Sequence, residues 1–381
     1  MTIVSRAGAE PVIVIVGGGC SGALVFINML RELASHALTS RLIMFERTKQ
    51  VARGVAYSTQ SPAHILNVPA DAMGAGSDNP RSFHEWLVAR GEPYQAGDFA
   101  PRSLYGDYLT ELLEAERAKH AHLCAEIVRD DVVGVSRGSP ARWLVKRLSG
   151  VDIEADFVVF ATGNDRPSIP TPLRSIVSSS RFIANPWAPT PEGVARSERV
   201  LIVGTSLTAI DTILDLERRE AHCEYTLLSR HGLLPLSHER GRMATPCTES
   251  LSTFATVRSA MRWLRAAAKQ RPWIEVVDSL RPHLPTIWRS WSPAEQGRFV
   301  RHPRAQWLAH RHRAPAESLG VLRTLADQGR LRVIAGSLTH AEADEDGCHV
   351  EYRPRGSRRS ENLSVDYVLN CSGPAEEPTD A

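Results

Sequence analysis

No two of the six cysteines, at positions 20, 124, 223, 247, 348 and 371, have the CxxC spacing of zinc sites and dithiol redox centres. The sequence also lacks an excess of either charge, with 45 Lys and Arg against 43 Asp and Glu. A balanced charge gives no global attraction to nucleic acid or to anionic membranes. We therefore predict no metal site and no nucleic-acid partner, and we expect the thiols to be reduced.

Long apolar runs are missing as well. No run approaches the roughly 20 residues that a transmembrane helix requires, and the N-terminus lacks the pattern of a secretory signal. We expect a cytoplasmic protein with no membrane partner. The length of 381 residues and the 43% hydrophobic content fit a globular chain of two domains, since typical domains contain roughly 100–200 residues.

A βαβ pattern is present near the N-terminus. Residues 12–16 form a continuous β-branched run, typical of a strand buried on both faces of a parallel sheet. Glycines follow at once, residues 23–34 carry apolar side chains at helical spacing, and residues 41–46 resemble a second buried strand. The order strand, glycine turn, helix, strand is that of a dinucleotide-binding unit.

The glycine turn of this unit matches the pattern GxGxxG through Gly17, Gly19 and Gly22. The first glycine permits a tight turn, the second lets the backbone approach a pyrophosphate, and the third allows close packing of helix and strand. Ser21 lies in the same turn, where the helix N-terminus presents N–H groups to phosphates. Glu46 ends the second strand, where a carboxylate accepts hydrogen bonds from ribose hydroxyls. This motif alone does not separate FAD from NAD.

A second βαβ pattern begins near residue 200, too far along the chain to share one phosphate site with the first. Its turn has the form GxSxxA, through Gly204, Ser206 and Ala209. Alanine is allowed at the third position. Serine at the second position is a departure, because glycine there lets the backbone approach the pyrophosphate, and we expect the hydroxyl of Ser206 to donate to that phosphate instead. The following strand is succeeded by Arg230 rather than by an acid. A guanidinium suits a 2′-phosphate, so NADPH is favoured over NADH.

Other segments carry a resemblance to known flavoproteins. An ATG turn at Ala161-Thr162-Gly163 follows a predicted strand, and with the two glycine turns it resembles the flavoproteins that have two dinucleotide-binding domains. This group includes flavin-containing monooxygenases and amino-acid N-hydroxylases. A closer resemblance, to bacterial FAD-NAD(P)-binding proteins, rests on GVAYS at 54–58 and on LNVPA at 66–70 followed by Met73-Gly74.

The resemblance implies an α/β fold with two Rossmann-like dinucleotide-binding domains, the second inserted into the first. We expect an FAD-binding domain at 10–190, with an insertion at 54–125 and completion by 332–381, and an NAD(P)H-binding domain at 196–331. The order of the two sites assigns FAD to the first domain.

The site residues follow from the motifs and the resemblance. Segment 67–73 would lie along the flavin ring, and His64, Asn67 and His238 are candidate catalytic residues, the histidines because their ordinary pKa is near neutral. The expected cofactor-binding residues are Gly17, Gly19, Ser21, Gly22, Glu46, Asn67, Val68, Met73, Ala161 and Gly163 for FAD, and Gly204, Ser206, Ala209 and Arg230 for NADPH.

These features predict a flavin-dependent oxidoreductase that uses NAD(P)H to reduce bound FAD, of monooxygenase type, acting on a small molecule such as an amine or amino acid. Related flavoproteins continue past the turn at 370–374 with a segment that contacts the flavin, whereas this chain ends shortly after it. The alternative is therefore a non-catalytic or partner-dependent nucleotide-binding protein. The sequence does not predict the substrate or the oligomeric state.

Overall fold

The structure is a computed structural model that describes residues 10–76, 78–138, 142–164, 167–188, 190–238 and 245–373. The chain divides into two compact units, with the boundary between Ser168 and Ile169, and the second unit extends to Gly373. Within the described residues, no helix combines the length and apolar character that crossing a bilayer demands.

The described residues of the first unit form seven strands, four helices and a 3-10 turn at Ala70–Ala72. Its strands are β1 (Val12–Val16), β2 (Arg41–Phe45), β3 (Ala125–Val128), β4 (Val132–Arg137), β5 (Trp143–Arg147), β6 (Ile153–Ala155) and β7 (Phe157–Phe160). Its helices are α1 (Cys20–Ser35), α2 (Gly54–Tyr57), α3 (Ser82–Ala89) and α4 (Arg102–Lys119).

A parallel sheet in the order β3-β2-β1-β7 forms the centre of this unit. The apolar face of α1, with Phe26, Ile27 and Leu30, is buried against the sheet together with residues of α4. Strands β4, β5 and β6 form a separate antiparallel meander. Because β1 lies at the centre of the sheet and is hydrogen-bonded on both sides, its carboxyl end faces a crevice of the kind in which α/β sheets bind ligands.

In the part of the second unit that the structure describes there are seven strands, eight helices and 3-10 turns at Thr171–Ile176, Leu251–Phe254 and Arg281–His283. Its strands are β8 (Phe182–Ile183), β9 (Arg199–Val203), β10 (Glu224–Ser229), β11 (Leu331–Ala343), β12 (Cys348–Pro354), β13 (Glu361–Val365) and β14 (Tyr367–Asn370). Its helices are α5 (Glu192–Ala195), α6 (Leu207–Arg218), α7 (Val257–Ala267), α8 (Trp273–Ser279), α9 (Leu284–Ser290), α10 (Pro293–Arg301), α11 (Arg304–Arg311) and α12 (Ala316–Asp327).

One seven-stranded sheet organises the second unit, in the order β13-β12-β11-β10-β9-β14-β8. The five strands from β11 to β8 are parallel, whereas β12 and β13 extend the sheet in antiparallel fashion. The order β11-β10-β9-β14 repeats the order β3-β2-β1-β7 of the first unit. In both units an antiparallel meander separates the third parallel strand from the fourth. The predicted α/β fold with two Rossmann-like units is confirmed.

The structure corrects the expectation that residues 332–381 complete the first domain. The described part of this segment, up to Gly373, belongs to the second unit. Strand β11 pairs with β10 from Tyr225↔Leu331 to Ser229↔Ala335, and β14 pairs with β9 from Tyr367↔Val200. These strands complete the second sheet because pairing with them satisfies the backbone N–H and C=O groups of β9 and β10, which are buried on both faces.

A helical insertion, α7 to α11, separates β10 from α12. It has a core of its own, in which Phe254, Leu280 and Trp291 are buried, and Trp291 Nε1 donates to the carbonyl of Phe254 at 2.7 Å. Basic residues near its end are held by acids: Arg313 pairs with Asp278. The insertion is therefore a packed element rather than an extended loop.

Candidate functional site

The glycine turn after β1 has a geometry that requires glycine. Gly17 has φ +99°, and its N–H donates to the carbonyl of Phe45 at 3.0 Å. A Cβ on Gly17 would lie 2.4 Å from the carbonyl oxygen of Ala161, and a Cβ on Gly22 would lie 1.8 Å from that of Gly17. The predicted roles of the first and third glycines, a tight turn and close helix packing, are therefore consistent with the backbone.

Helix α1 begins directly after this turn with an open N-terminus. Gly19 is its extended N-cap, and no side chain in the described part of the chain caps it. The first amides of a helix have no intrahelical acceptor and carry partial positive charge. A Cβ on Gly19 would lie 3.2 Å from the Cα of Gly54, so a larger residue would fill the cradle. Ser21, exposed on the first turn, adds a hydroxyl beside these amides.

Glu46 is held next to the turn by three hydrogen bonds. Its Oε2 accepts from the N–H of Gly18 at 2.9 Å, and its Oε1 accepts from the N–H and the hydroxyl of Thr48, each at 2.8 Å. A cavity of about 290 Å³ opens beside the carboxylate, lined also by Lys49, Leu113 and Arg129. Its volume is at the lower end of ligand pockets, roughly 300–1,000 Å³. The carboxylate is thus held in a fixed position beside this cavity.

The segment that follows α2 is fixed by backbone pairing with the residues before α4. Leu66 N–H donates to the carbonyl of Ala100, and Ala70 N–H donates to that of Asp98, both at 2.9 Å. Asn67 and Val68, between these anchors, are half-buried. Sequence reasoning predicted this segment as a flavin contact but not the pairing that makes it rigid.

The remaining predicted residues of the first unit occupy different surroundings. Met73 packs against the core formed by α1 and α4. His64 is half-buried, with its Nδ1 2.6 Å from the hydroxyl of Thr59. Gly163, with φ +75°, lies just after β7 in open space. Ala161 contacts the glycine turn, because its carbonyl oxygen packs against Gly17.

The turn after β9 repeats the first one. Gly204 has φ +125°, its N–H donates to the carbonyl of Leu228 at 2.9 Å, and a Cβ on it would lie 2.2 Å from the carbonyl oxygen of Cys371. Ser206 is the exposed N-cap of α6 and makes no side-chain cap bond within the described residues, so its hydroxyl can donate to a ligand. Ala209 is fully buried, as close packing of the helix demands.

Positive charge collects at the carboxyl end of β10. Arg230 is exposed, and the following residue, His231, is half-buried. Burial, followed by the charges of Arg355 and Arg230, lowers the pKa of His231. Sequence reasoning identified Arg230 but missed Arg355, which comes from the turn between β12 and β13. The available signal was the density of arginine in residues 353–359.

The two candidate acid–base histidines lie in different units. His238 is half-buried in the second unit. Its backbone N–H donates to the carbonyl of Ala314 at 2.9 Å, next to the β-bridge between Ser237 and Ala314. His64 belongs to the first unit.

Comparison with known proteins supports the interpretation of the first glycine turn. Residues 14–165 match a family model described as FAD-NAD(P)-binding, a range that lies within the first unit. The chain matches no curated protein by sequence. The predicted resemblance to FAD/NAD(P)-binding flavoproteins is confirmed at the level of that family model and of the fold.

Three solved structures illustrate the likeness in fold. L-lysine 6-monooxygenase from Pseudomonas syringae has a TM-score of 0.61 at 15% identity, with 97% of this chain and 82% of that chain covered. Ornithine hydroxylase from Pseudomonas aeruginosa has a TM-score of 0.59 at 16% identity, covering 97% and 84%. The FAD-bound cadaverine monooxygenase from Erwinia amylovora has a TM-score of 0.57 at 12% identity, covering 98% and 80%.

Proposed function

We propose that this chain is a flavin-dependent oxidoreductase that binds FAD in its first unit and NADPH in its second. The observation that carries the proposal is the pair of separately built phosphate cradles, at Gly17 and at Gly204, each with a helix N-terminus directly behind it. One cradle would serve a simple dehydrogenase, whereas two suit a flavin and a nicotinamide cofactor on the same chain.

The residues of the first unit fit FAD in their chemistry. The amides at the start of α1 would hold the pyrophosphate, and the fixed carboxylate of Glu46 would accept from the ribose hydroxyls beside the cavity of about 290 Å³. The rigid segment with Asn67 and Val68 would contact the ring. When bound, the flavin accepts electrons from the nicotinamide and passes them on to a small molecule or to oxygen.

A monooxygenase acting on a small amine or amino acid is the more specific form of this proposal. Its support is that structures of the same fold are enzymes named for ornithine, lysine and cadaverine. Either His64 or His238 would then act as a proton donor or acceptor, with Asn67 positioning the ring, in a cytoplasmic enzyme. Fold alone does not specify a substrate, so the amine class must be tested directly.

The test begins with the cofactor. The full chain should purify yellow or bind added FAD, and NADPH should bleach it in the absence of air. Admitting oxygen should restore the yellow colour, and oxygen consumption should rise with an accepted substrate from a panel of ornithine, lysine and cadaverine.

Colourless protein that ignores FAD, or bound flavin that stays oxidised with NADPH, would contradict the proposal and favour a non-catalytic nucleotide-binding protein. Oxygen consumption that no amine changes, with normal flavin reduction, would remove the amine monooxygenase and leave the reductase.

A further inference from the structure

Ala335, on β11, is a point where three segments of the second unit meet. It pairs in register with Ser229 at the end of β10. Its carbonyl accepts from the N–H of Arg355 at 2.8 Å. Gly232, with φ +61°, packs so closely against it that a Cβ would lie 3.0 Å from the Cβ of Ala335. The start of the β12–β13 turn is thereby fixed beside the loop that carries Arg230.

The same loop is tied to the glycine turn. The hydroxyl of Thr205 lies 3.0 Å from the hydroxyl of Ser229 and donates to the carbonyl of Leu233 at 2.6 Å. The end of β10 therefore lies next to the start of α6, where the pyrophosphate of a dinucleotide binds in this architecture. In such units the end of the second strand faces the adenosine ribose.

Among the described residues, the charged groups that act on this place are positive. Arg230 and Arg355 are exposed, and neither forms an ion pair with any residue in the part of the chain that the structure describes. Both act on His231, whose pKa is lowered by burial, by Arg355 and by Arg230, in that order. Two guanidinium groups close to His231, neither with an ion pair among the described residues, favour a ligand that carries two negative charges.

The turn of the first unit at the same topological position has no such charge. Residues 148–152, between β5 and β6, contain no lysine or arginine, whereas residues 355–360, between β12 and β13, contain three arginines. At the adenosine end of the cofactor, the 2′-phosphate distinguishes NADPH from both FAD and NADH, so the difference between the turns matches the difference between the cofactors.

We propose that Arg355, from the β12–β13 turn, acts with Arg230 to bind the 2′-phosphate of NADPH, and that this pair determines the preference for NADPH over NADH. The inference rests on the proposed function and deepens it, because it assigns nicotinamide specificity to a meander turn as well as to the end of β10. Arg355 is a specificity residue and takes no part in electron transfer.

The test measures ligand binding to the FAD-loaded protein by calorimetry, with adenosine 2′,5′-bisphosphate and 5′-AMP as probes that differ in the 2′-phosphate alone. Arg355→Ala should weaken binding of the bisphosphate by about 10- to 150-fold, the range of a charge-assisted hydrogen bond, and leave 5′-AMP unchanged. Arg355→Lys should recover part of the loss, because lysine keeps the positive charge but cannot make the bidentate hydrogen bonds of a guanidinium. Arg358→Ala is the matched control, since it removes the same charge from the same turn and should leave both probes unchanged.

Three results would overturn the inference: no effect of Arg355→Ala, equal weakening of both probes, or an equal loss in Arg358→Ala. Failure of the proposed function is a different result. If NADPH does not bleach the flavin of the wild type, the oxidoreductase is refuted, whereas normal bleaching with an unaffected Arg355→Ala variant refutes the role of Arg355 alone.

Discussion

Replacing Glu46 by alanine or glutamine should weaken FAD binding. A hydrogen bond to a charged group contributes roughly 1.5–3 kcal/mol, so loss of one ribose contact corresponds to about a 10- to 150-fold rise in the Kd for FAD. Glutamine should be nearly as harmful as alanine. Both carboxylate oxygens accept from N–H groups, of Gly18 and of Thr48, so the amide of glutamine would face a donor with a donor whichever way it turns.

The assay is titration of flavin-free protein with FAD, followed by flavin fluorescence. Glu114→Gln is the control, because Glu114 lines the same cavity without a described bond to the glycine turn, and it should change the Kd for FAD far less. Gly19→Val should be worse than either Glu46 variant, since its side chain would fill the cradle against Gly54. Unchanged flavin affinity in the Glu46 variants, or an equal loss in Glu114→Gln, would refute the placement of the ribose at Glu46.

Three further outcomes are expected. Arg230→Ala should raise the Kd for NADPH by about 10- to 150-fold and leave NADH nearly unchanged, and equal effects on the rates of flavin reduction by the two nicotinamides would count against a 2′-phosphate contact. Gly17→Ala and Gly204→Ala each place a Cβ against a carbonyl oxygen at positive φ, so each should cost at least about 1–3 kcal/mol of unfolding free energy from backbone strain, whereas Gly91→Ala, at φ +72° in open space, should cost less in chemical denaturation. The pKa values of His231 and of His312 are lowered in the folded state, mainly by burial, so the unfolded chain takes up protons first as the pH falls below about 6.5. The free energy of unfolding should therefore decrease as the pH falls below about 6.5. The double variant His231→Gln with His312→Gln should show a smaller change of melting temperature with pH, between about pH 7.5 and 5.5, than the wild type. A slope equal to that of the wild type would exclude these two histidines as the cause.

The features that sequence reasoning predicted well are local in the chain. The turn at Gly17 and the turn at Gly204 follow strands and open helices within a few residues, so spacing alone was enough to predict them. Glu46 lies where a second strand of this length must end. Each of these predictions needs one βαβ unit and no knowledge of what packs around it.

The features that were missed depend on pairing between distant parts of the chain. Strand β11 carries an apolar pattern that fits either unit, and the partner it selects, β10, is determined by which sheet edge is open. Arg355 approaches Arg230 through that same pairing. The helices from α7 to α11 lie within a range predicted to be one NAD(P)H domain, but spacing gave no sign that they form a core of their own.

The contact of Gly204 with Cys371 has a consequence for the order of assembly. The turn that would hold the second pyrophosphate closes against the residue that follows β14, so this cradle is incomplete until the last strand of its sheet has docked. During synthesis, residues 204–209 leave the ribosome long before residue 371, so the turn cannot form its contact with Cys371 until β14 has been made. A ligand of this turn would then bind only the finished sheet and not earlier folding states. Binding would therefore shift the folding equilibrium toward the native state by mass action. The first unit shows the same dependence over a shorter stretch of chain, because the turn at Gly17 packs against Ala161.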